Sequence, residues 1–173
     1  AIVLLGRRTP RGAPPATRGT VQVDAVRDAR RDAVGSLIGE RTTIGAVSMG
    51  KIDMEPMPTV MMTALLRAEF ARMGFVVGDG TPAWRIAGRL ATFEVATPAT
   101  ALYWDINGSV ELELEATAPG GGTHQARYEA RCTDRTYAWP SEALISGVVS
   151  SCLKDIGGRL RGDAALAAFL GVR

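Results

Sequence analysis

Histidine is nearly absent from this sequence. His124 is the only one, and no neighbouring cysteine or histidine completes a zinc site with it. Cysteine is almost as scarce: Cys132 and Cys152 are too few for a disulfide framework and lack metal-ligand spacing. No apolar run approaches the roughly 20 residues with which a helix crosses a bilayer. Neither sign of charge dominates, since 20 basic and 18 acidic side chains leave a net +2 and are interleaved. A nucleic-acid binder shows a basic face or a lysine-rich run; neither is present, so no nucleic acid is expected as a partner. What remains is 173 residues, 46% hydrophobic and 22% charged, enough for one globular domain with a genuine core.

The opening "AIVLLG" is apolar but short, and reads as a first strand or as the remnant of a removed upstream segment. "GRRTPRGAPPATRG" follows, rich in Pro, Gly and Arg and without apolar periodicity, which marks a linker. Residues 1–19 are thus expected to be a flexible Pro/Arg-rich tether, and 20–173 a single α+β domain. "TVQVDAV" alternates Val21, Val23 and Ala25 with polar residues and predicts a strand with one buried face. The charge density of "RDARRD" then predicts a turn or loop, an ion-pair network or a partner contact. Irregular chain follows, with a short strand around residues 43–47.

A long helix is expected to start near Pro58 or Thr59, with Thr59 as its cap. Met57, Met61, Ala64, Leu65 and Ala68 mark its apolar stripe, and Gly74 ends it. "FVV" is a short strand. "AWRIAGRLATFEV" alternates Trp84, Ile86, Gly88 and Leu90 against Arg85, Ala87 and Arg89. In "LYWDINGSVELELEA", Val110, Leu112, Leu114 and Ala116 oppose Glu111, Glu113 and Glu115. "THQARYEARCT" answers with Ala126, Tyr128, Ala130 and Cys132, and a turn at "GGG" makes the two a hairpin. Matching its faces sets Glu115 opposite Arg127 and Glu111 opposite Arg131. Ser141 caps a second long helix whose stripe is Ile145, Val148, Val149, Cys152, Leu153, Ile156 and Leu160. A last helical turn packs Leu166, Phe169 and Leu170 back on the body. The expected fold is α+β: a two-layer domain, a mainly antiparallel sheet with two long helices packed on one face.

"GAVSMGKI", residues 45–52, matches the spacing of a phosphate-binding loop at Gly45, Gly50 and Lys51. Ile52 stands where a hydroxyl should hold magnesium, polar "GERTT" precedes it, and the prolines of "IDMEPMP" forbid a helix at Lys51. It is not a nucleotide site. Glu111, Glu113 and Glu115 alternate beside arginines on an exposed face, which suits solvated charges better than acid–base chemistry. Cys132 and Cys152 both fall on core-facing positions and read as small buried thiols, with a disulfide as the alternative that an oxidising compartment favours. Met49, Met54, Met57, Met61 and Met62 cluster around the insert and first helix. Core filling explains most of them; Ser48, Met49, Met54 and Met57 are the candidate partner contact. No catalytic residue, metal ligand or cofactor is assigned. An alternative reading is a small-ligand pocket lined by Trp84, Tyr103, Trp104 and Trp139.

The order of segments resembles the YajG family of bacterial lipoproteins: "VDAVRDARRD", then "IG", then "PTVMMTALLRAEFARMGFVV", later "RIAGRLATFEV", the hairpin and "LISGVVSSCLKDIGGRL". The short motifs are Asp28-x-Arg30, Ile38-Gly39 and Gly74-Phe75, and the resemblance runs from about Val21 to Leu170. It implies a fold similar to the N-terminal domain of TolB and no enzymatic activity. It also implies a periplasmic location, tethered to the outer membrane by a lipid anchor upstream of the chain start. No lipobox cysteine stands at the start of this chain, so a trimmed mature domain would use the Pro/Arg-rich stretch as the tether. The expected partner is another envelope protein or polymer, with a homo-oligomeric scaffold as a further alternative.

Overall fold

The computed structural model describes residues 18–31, 35–78 and 84–172. Most of the expected tether, including "AIVLLG", lies outside the described residues. In chain order the elements are β1 (Thr20–Val23), β2 (Arg27–Asp28), β3 (Leu37–Thr42), β4 (Ser48–Asp53) and α1 (Pro58–Arg72). Then come β5 (Val76–Val77), β6 (Trp84–Thr97), β7 (Trp104–Thr117), β8 (Thr123–Thr136), α2 (Glu142–Gly162) and α3 (Ala164–Phe169). The fold is α+β, with one sheet covered on one face by α1 and α2.

β6 is the spine of that sheet. One of its edges pairs with β7 antiparallel over nearly its whole length, and β7 pairs onward with β8. Along the other edge three short strands lie end to end, all parallel to β6: β1 at Trp84 to Ile86, β2 at Arg89 and Leu90, β3 at Val95 to Thr97. β5 flanks β1, and β4 flanks β3 as an antiparallel partner. The antiparallel ladders are the long ones, so the sheet is mainly antiparallel. β6 also changes phase midway. A bulge at Ala91 moves its buried positions from Ile86 and Leu90 to Phe93 and Val95, so both halves face the helices.

"RDARRD" is not simply a loop. Arg27 and Asp28 form β2, and Arg30 turns back to grip Asp28, with Nε donating to Oδ1 at 2.9 Å and Nη2 to Oδ2 at 2.7 Å. The same buried guanidinium donates to the carbonyls of Leu37 (2.7 Å) and Gly35 (2.8 Å), fixing where β3 begins. Gly39 follows because a β-carbon there would lie 1.9 Å from the Val95 carbonyl oxygen. The motifs Asp28-x-Arg30 and Ile38-Gly39 thus hold β3 on the spine.

Residues 43–47 are the turn of the β3–β4 hairpin, not a strand; Gly45 and Ala46 both take positive φ. The β7–β8 register is two residues from the expected one. Glu115 faces Gln125, Glu113 faces Arg127 and Glu111 faces Glu129, because the turn takes all of residues 118–122, closed by Ala118 N–H donating to Gly122 C=O. A two-residue slip preserves side-chain parity, so the core face is as expected.

α1 starts with Pro58 at its first position; Met57, not Thr59, is the capping residue, and no side chain caps it. Its buried face is Met62, Leu66, Glu69 and Phe70, one residue (about 100°) round from the expected stripe. The helix is apolar on several sides, so periodicity alone does not choose. Bulky Phe70 and the ion-paired Glu69 decide. Glu69 is 1% exposed and accepts from Arg72 (2.5 Å) and from Arg161 of α2, linking the two helices. Gly74 closes α1 as expected, at φ +93°. In α2 the Ser141 hydroxyl oxygen accepts from Leu144 N–H, and the stripe from Ile145 to Leu160 faces the sheet.

The two cysteines are joined as a disulfide, which corrects their reading as free thiols; their Cα atoms are 5.5 Å apart. Pairing is possible because Gly108, opposite Cys132 on β7, leaves room for α2 to sit close to the sheet.

Candidate functional site

Three connections meet at the end of the spine where β6 stops and β7 starts. Buried Thr97 binds the β3–β4 hairpin there, its hydroxyl oxygen accepting from Thr42 N–H at 3.1 Å and its carbonyl from the Thr42 hydroxyl at 2.9 Å. Trp104 Nε1–H donates to the Thr42 carbonyl at 3.2 Å, and its ring meets that of Trp139 edge-on at 6.1 Å. Tyr103 and Tyr137 meet likewise at 6.3 Å. The Arg135 guanidinium lies 3.9 Å from the Tyr103 ring centre and is held by Asp105 at 2.7 Å. Arg41 Nε donates to the Pro140 carbonyl at 3.4 Å, tying the hairpin to the β8–α2 connection.

This end exposes several large apolar side chains. Leu102 and Tyr137 are 76% and 77% exposed, and Ile44, Val47, Met49 and Trp139 about half or more. Exposed apolar residues gathered at one end differ from the scattered ones every protein carries.

Of the four candidate contact residues, Ser48 and Met49 are at this end, exposed on β4. Met54 and Met57 are not. They sit past the far end of β4, where Met54 packs against the core and Met57 precedes α1 beside a groove with Val60. Met62 is wholly buried. The aromatic grouping divides too: Tyr103, Trp104 and Trp139 come together, whereas Trp84 lies at the opposite end of β6, against Phe169 at 5.2 Å. Sequence reasoning missed Ile44, Val47, Leu102 and Tyr137. Their signal was the presence of large apolar residues inside turns.

The sheet face turned away from the helices is a lattice of opposite charges. Arg85 binds Asp24, Arg89 binds Glu113 at 2.6 Å, and Arg127 binds Glu111 at 2.8 Å, diagonal to it. A shallow depression of about 530 Å³ lies among Arg31, Arg89, Glu94, Glu111, Glu113 and Arg127. The hydrogen bond from Arg89 holds the Glu113 carboxyl below its ordinary range. A carboxylate held ionised by arginine, as Glu113 is, makes a poor general acid.

At the Trp84 end, His124 stacks on Phe169 at 5.5 Å. Tyr128 donates to Asp163 Oδ2 at 2.8 Å, and burial together with that carboxylate pushes its hydroxyl pKa well up. Burial also pushes the Asp163 carboxyl up, but amide donation from Leu166 and Ala165, the Tyr128 hydroxyl and the charge of His124 outweigh it and leave it low. Asp163 is the cap of α3, so this cluster docks the last helix. Among the described residues no group of histidine, cysteine, aspartate or glutamate side chains is arranged to hold a metal ion.

A family model described as "uncharacterized lipoprotein" matches residues 13–171. No curated protein matches the sequence. Among solved structures, the chain is similar to a Xanthomonas campestris protein assigned to family DUF330, with a TM-score of 0.60 at 12% identity, covering 92% of this chain and 90% of that one. It is also similar to a structure described only as an uncharacterized protein, with a TM-score of 0.51 at 10% identity, covering 87% and 94%. A lipoprotein from Neisseria meningitidis covers 81% and 99% at 11% identity, but its TM-score of 0.41 carries no weight. Identities this low speak for the fold alone.

Proposed function

The chain belongs to a family of uncharacterized lipoproteins, and from that premise we propose that it is a non-catalytic envelope domain that binds another envelope protein or polymer through its hairpin-and-aromatic end. Family membership supports a bacterial envelope location. The finer reading is a periplasmic, outer-membrane-tethered protein of the YajG type with a TolB-like fold, its lipid upstream of the described residues. The Cys132–Cys152 disulfide suits that compartment, because such bonds persist where the surroundings are oxidising.

The observation that carries the reading is the polarity of the spine. The described chain begins at Arg18, whose N–H donates to the Gly74 carbonyl beside the Trp84 end of β6. The exposed apolar residues lie beyond Thr97, at its other end. Fourteen strand residues separate the two, about 45 Å at ~3.3 Å per residue. A tether at one end leaves the apolar end facing away from the membrane, free to meet a partner.

Photo-crosslinking residues placed at Leu102, Tyr137 and Trp139 in the native host test this, with Val76 near the tether end as control. One discrete adduct from the first three positions and none from Val76 is the expected result. Capture at Val76 alone, or at none of the four, overturns it.

A further inference from the structure

Among the described residues four strands lack a partner on one side, β2, β4, β5 and β8, and they are not equally guarded; β2 is two residues long. β8 is the longest, but its exposed positions carry Arg127, Glu129, Arg131 and Arg135, the kind of charge that keeps edges from pairing. β5 is two residues long. β4 is different: Ser48, Met49 and Gly50 are exposed and uncharged, followed by Lys51 and Asp53 on either side of buried Ile52. Lys51 and Asp53 have opposite signs and point to the same side of the strand.

Backbone donors and acceptors on β4 are aimed outward at those two charged positions. Met54 N–H donates to the Ser36 carbonyl at 2.9 Å, and the next residue pair, Leu37 and Asp53, follows it along the ladder. Bonded and non-bonded pairs alternate in an antiparallel ladder, so the Asp53 N–H and C=O point away from β3. The register shift here lies on β3, where Gly39 rather than Ile38 faces Ile52. A second shift puts an extra residue on β4 between Ser48 and Lys51, where Gly50 takes a positive φ, but from Lys51 to Asp53 the alternation of β4 is undisturbed, so Lys51 also points its backbone groups outward.

We propose that β4 is a self-pairing edge, on which a second copy of this chain docks antiparallel about a two-fold axis at Ile52. In that register Lys51 and the partner's Asp53 are directly opposite and exchange both backbone hydrogen bonds, and symmetry repeats the arrangement for Asp53 and the partner's Lys51. Each strand presents its lysine to an aspartate and its aspartate to a lysine. On the helix side Ile52 meets its own copy, extending the apolar layer across the axis. Asp53 Oδ1 accepts from the Ser36 hydroxyl at 2.9 Å, leaving Oδ2 for the lysine. Lys51 faces Glu40 on β3 but forms no ion pair among the described residues. A register shifted by two residues sets Lys51 against Lys51 and is disfavoured.

Sedimentation velocity on the full chain from about 1 μM to about 1 mM tests this. The wild type should pass from monomer to dimer over that range. Lys51→Asp and Asp53→Lys should each weaken the dimer at least about tenfold, two like-charge oppositions replacing two attractions. The double reversal should restore the dimer, and an equimolar mixture of the single variants should form a heterodimer. Both side chains are exposed, and an unchanged thermal midpoint shows each variant to be folded. A wild type that stays monomeric, single reversals without effect, or a double reversal that fails to restore pairing overturns the proposal. None of these outcomes bears on adducts at Leu102 or Tyr137, which report the envelope partner.

Discussion

Gly108 lies directly across from Cys132, and a β-carbon on it would sit 2.9 Å from Val148 and 3.4 Å from the Cys152 sulfur. The missing side chain is what lets α2 descend far enough for the sulfurs to bond. Gly108→Ala is expected to cost about 1–3 kcal/mol through overpacking. Reducing the disulfide, which closes a separation of 20 residues, is expected to cost about 3 kcal/mol on the chain-entropy account. Urea melts with and without reductant, on wild type and Gly108→Ala, measure both.

Glu69 ties α1 to α2 through arginines that are themselves half exposed. Glu69→Gln removes the buried charge while keeping its shape. Arg72 and Arg161 then turn to water, so the expected loss is about 1–3 kcal/mol, below that for a fully enclosed pair. A double-mutant cycle with Arg161→Gln should return a favourable coupling; additive single effects would show the bridge to be idle.

Asp28 supplies a pH dependence of known sign. The hydrogen bonds from Arg30 hold its carboxyl below the ordinary 3.8. A depressed carboxyl stabilises the fold fully above its unfolded value and loses that contribution as pH falls through the folded one. Asp28→Asn is expected to be less stable than wild type at neutral pH. The gap should close as the pH is lowered below about 4. Denaturant melts across pH 2.5 to 7 would refute this if the gap stayed constant.

The proposed lipid tether makes a prediction of its own. Metabolic palmitate labelling of the natively expressed, full-length gene product should give labelled protein in the outer-membrane fraction. Unlabelled protein in the cytosol would remove the tether and the orientation built on it.

Where one face of an element was plainly apolar, the sequence was readable. Val110, Leu112, Leu114 and Ala116 alternate against glutamates, and each is buried as expected. The α2 stripe is equally clear. Legibility failed where local pattern was not the deciding force. α1 offers two apolar faces, and the choice between them rests on Phe70 and a carboxylate bridged to a residue 92 positions away. β2 is charged and two residues long, and exists only because β6 provides a partner. The hairpin register depended on how many residues the turn absorbs, which "GGG" does not disclose. The apolar end of the molecule is assembled from residues 41–49, 102–104 and 135–139. No single window contains it, so the methionines at Met54 and Met57 looked equivalent to Met49 when they are not.

The parallel course of β1 alongside β6 also determines how the molecule bears load. β1 lies between β5 and β6, bonded on both edges. With the proposed tether before Arg18 and the proposed partner at the far end, tension would run along the strands, crosswise to the slanted rungs that join them. Rungs so loaded resist together instead of parting one by one, as they would if the strand were peeled sideways. On the proposed function, the domain is therefore loaded along its strands, between tether and partner, and not peeled from an edge.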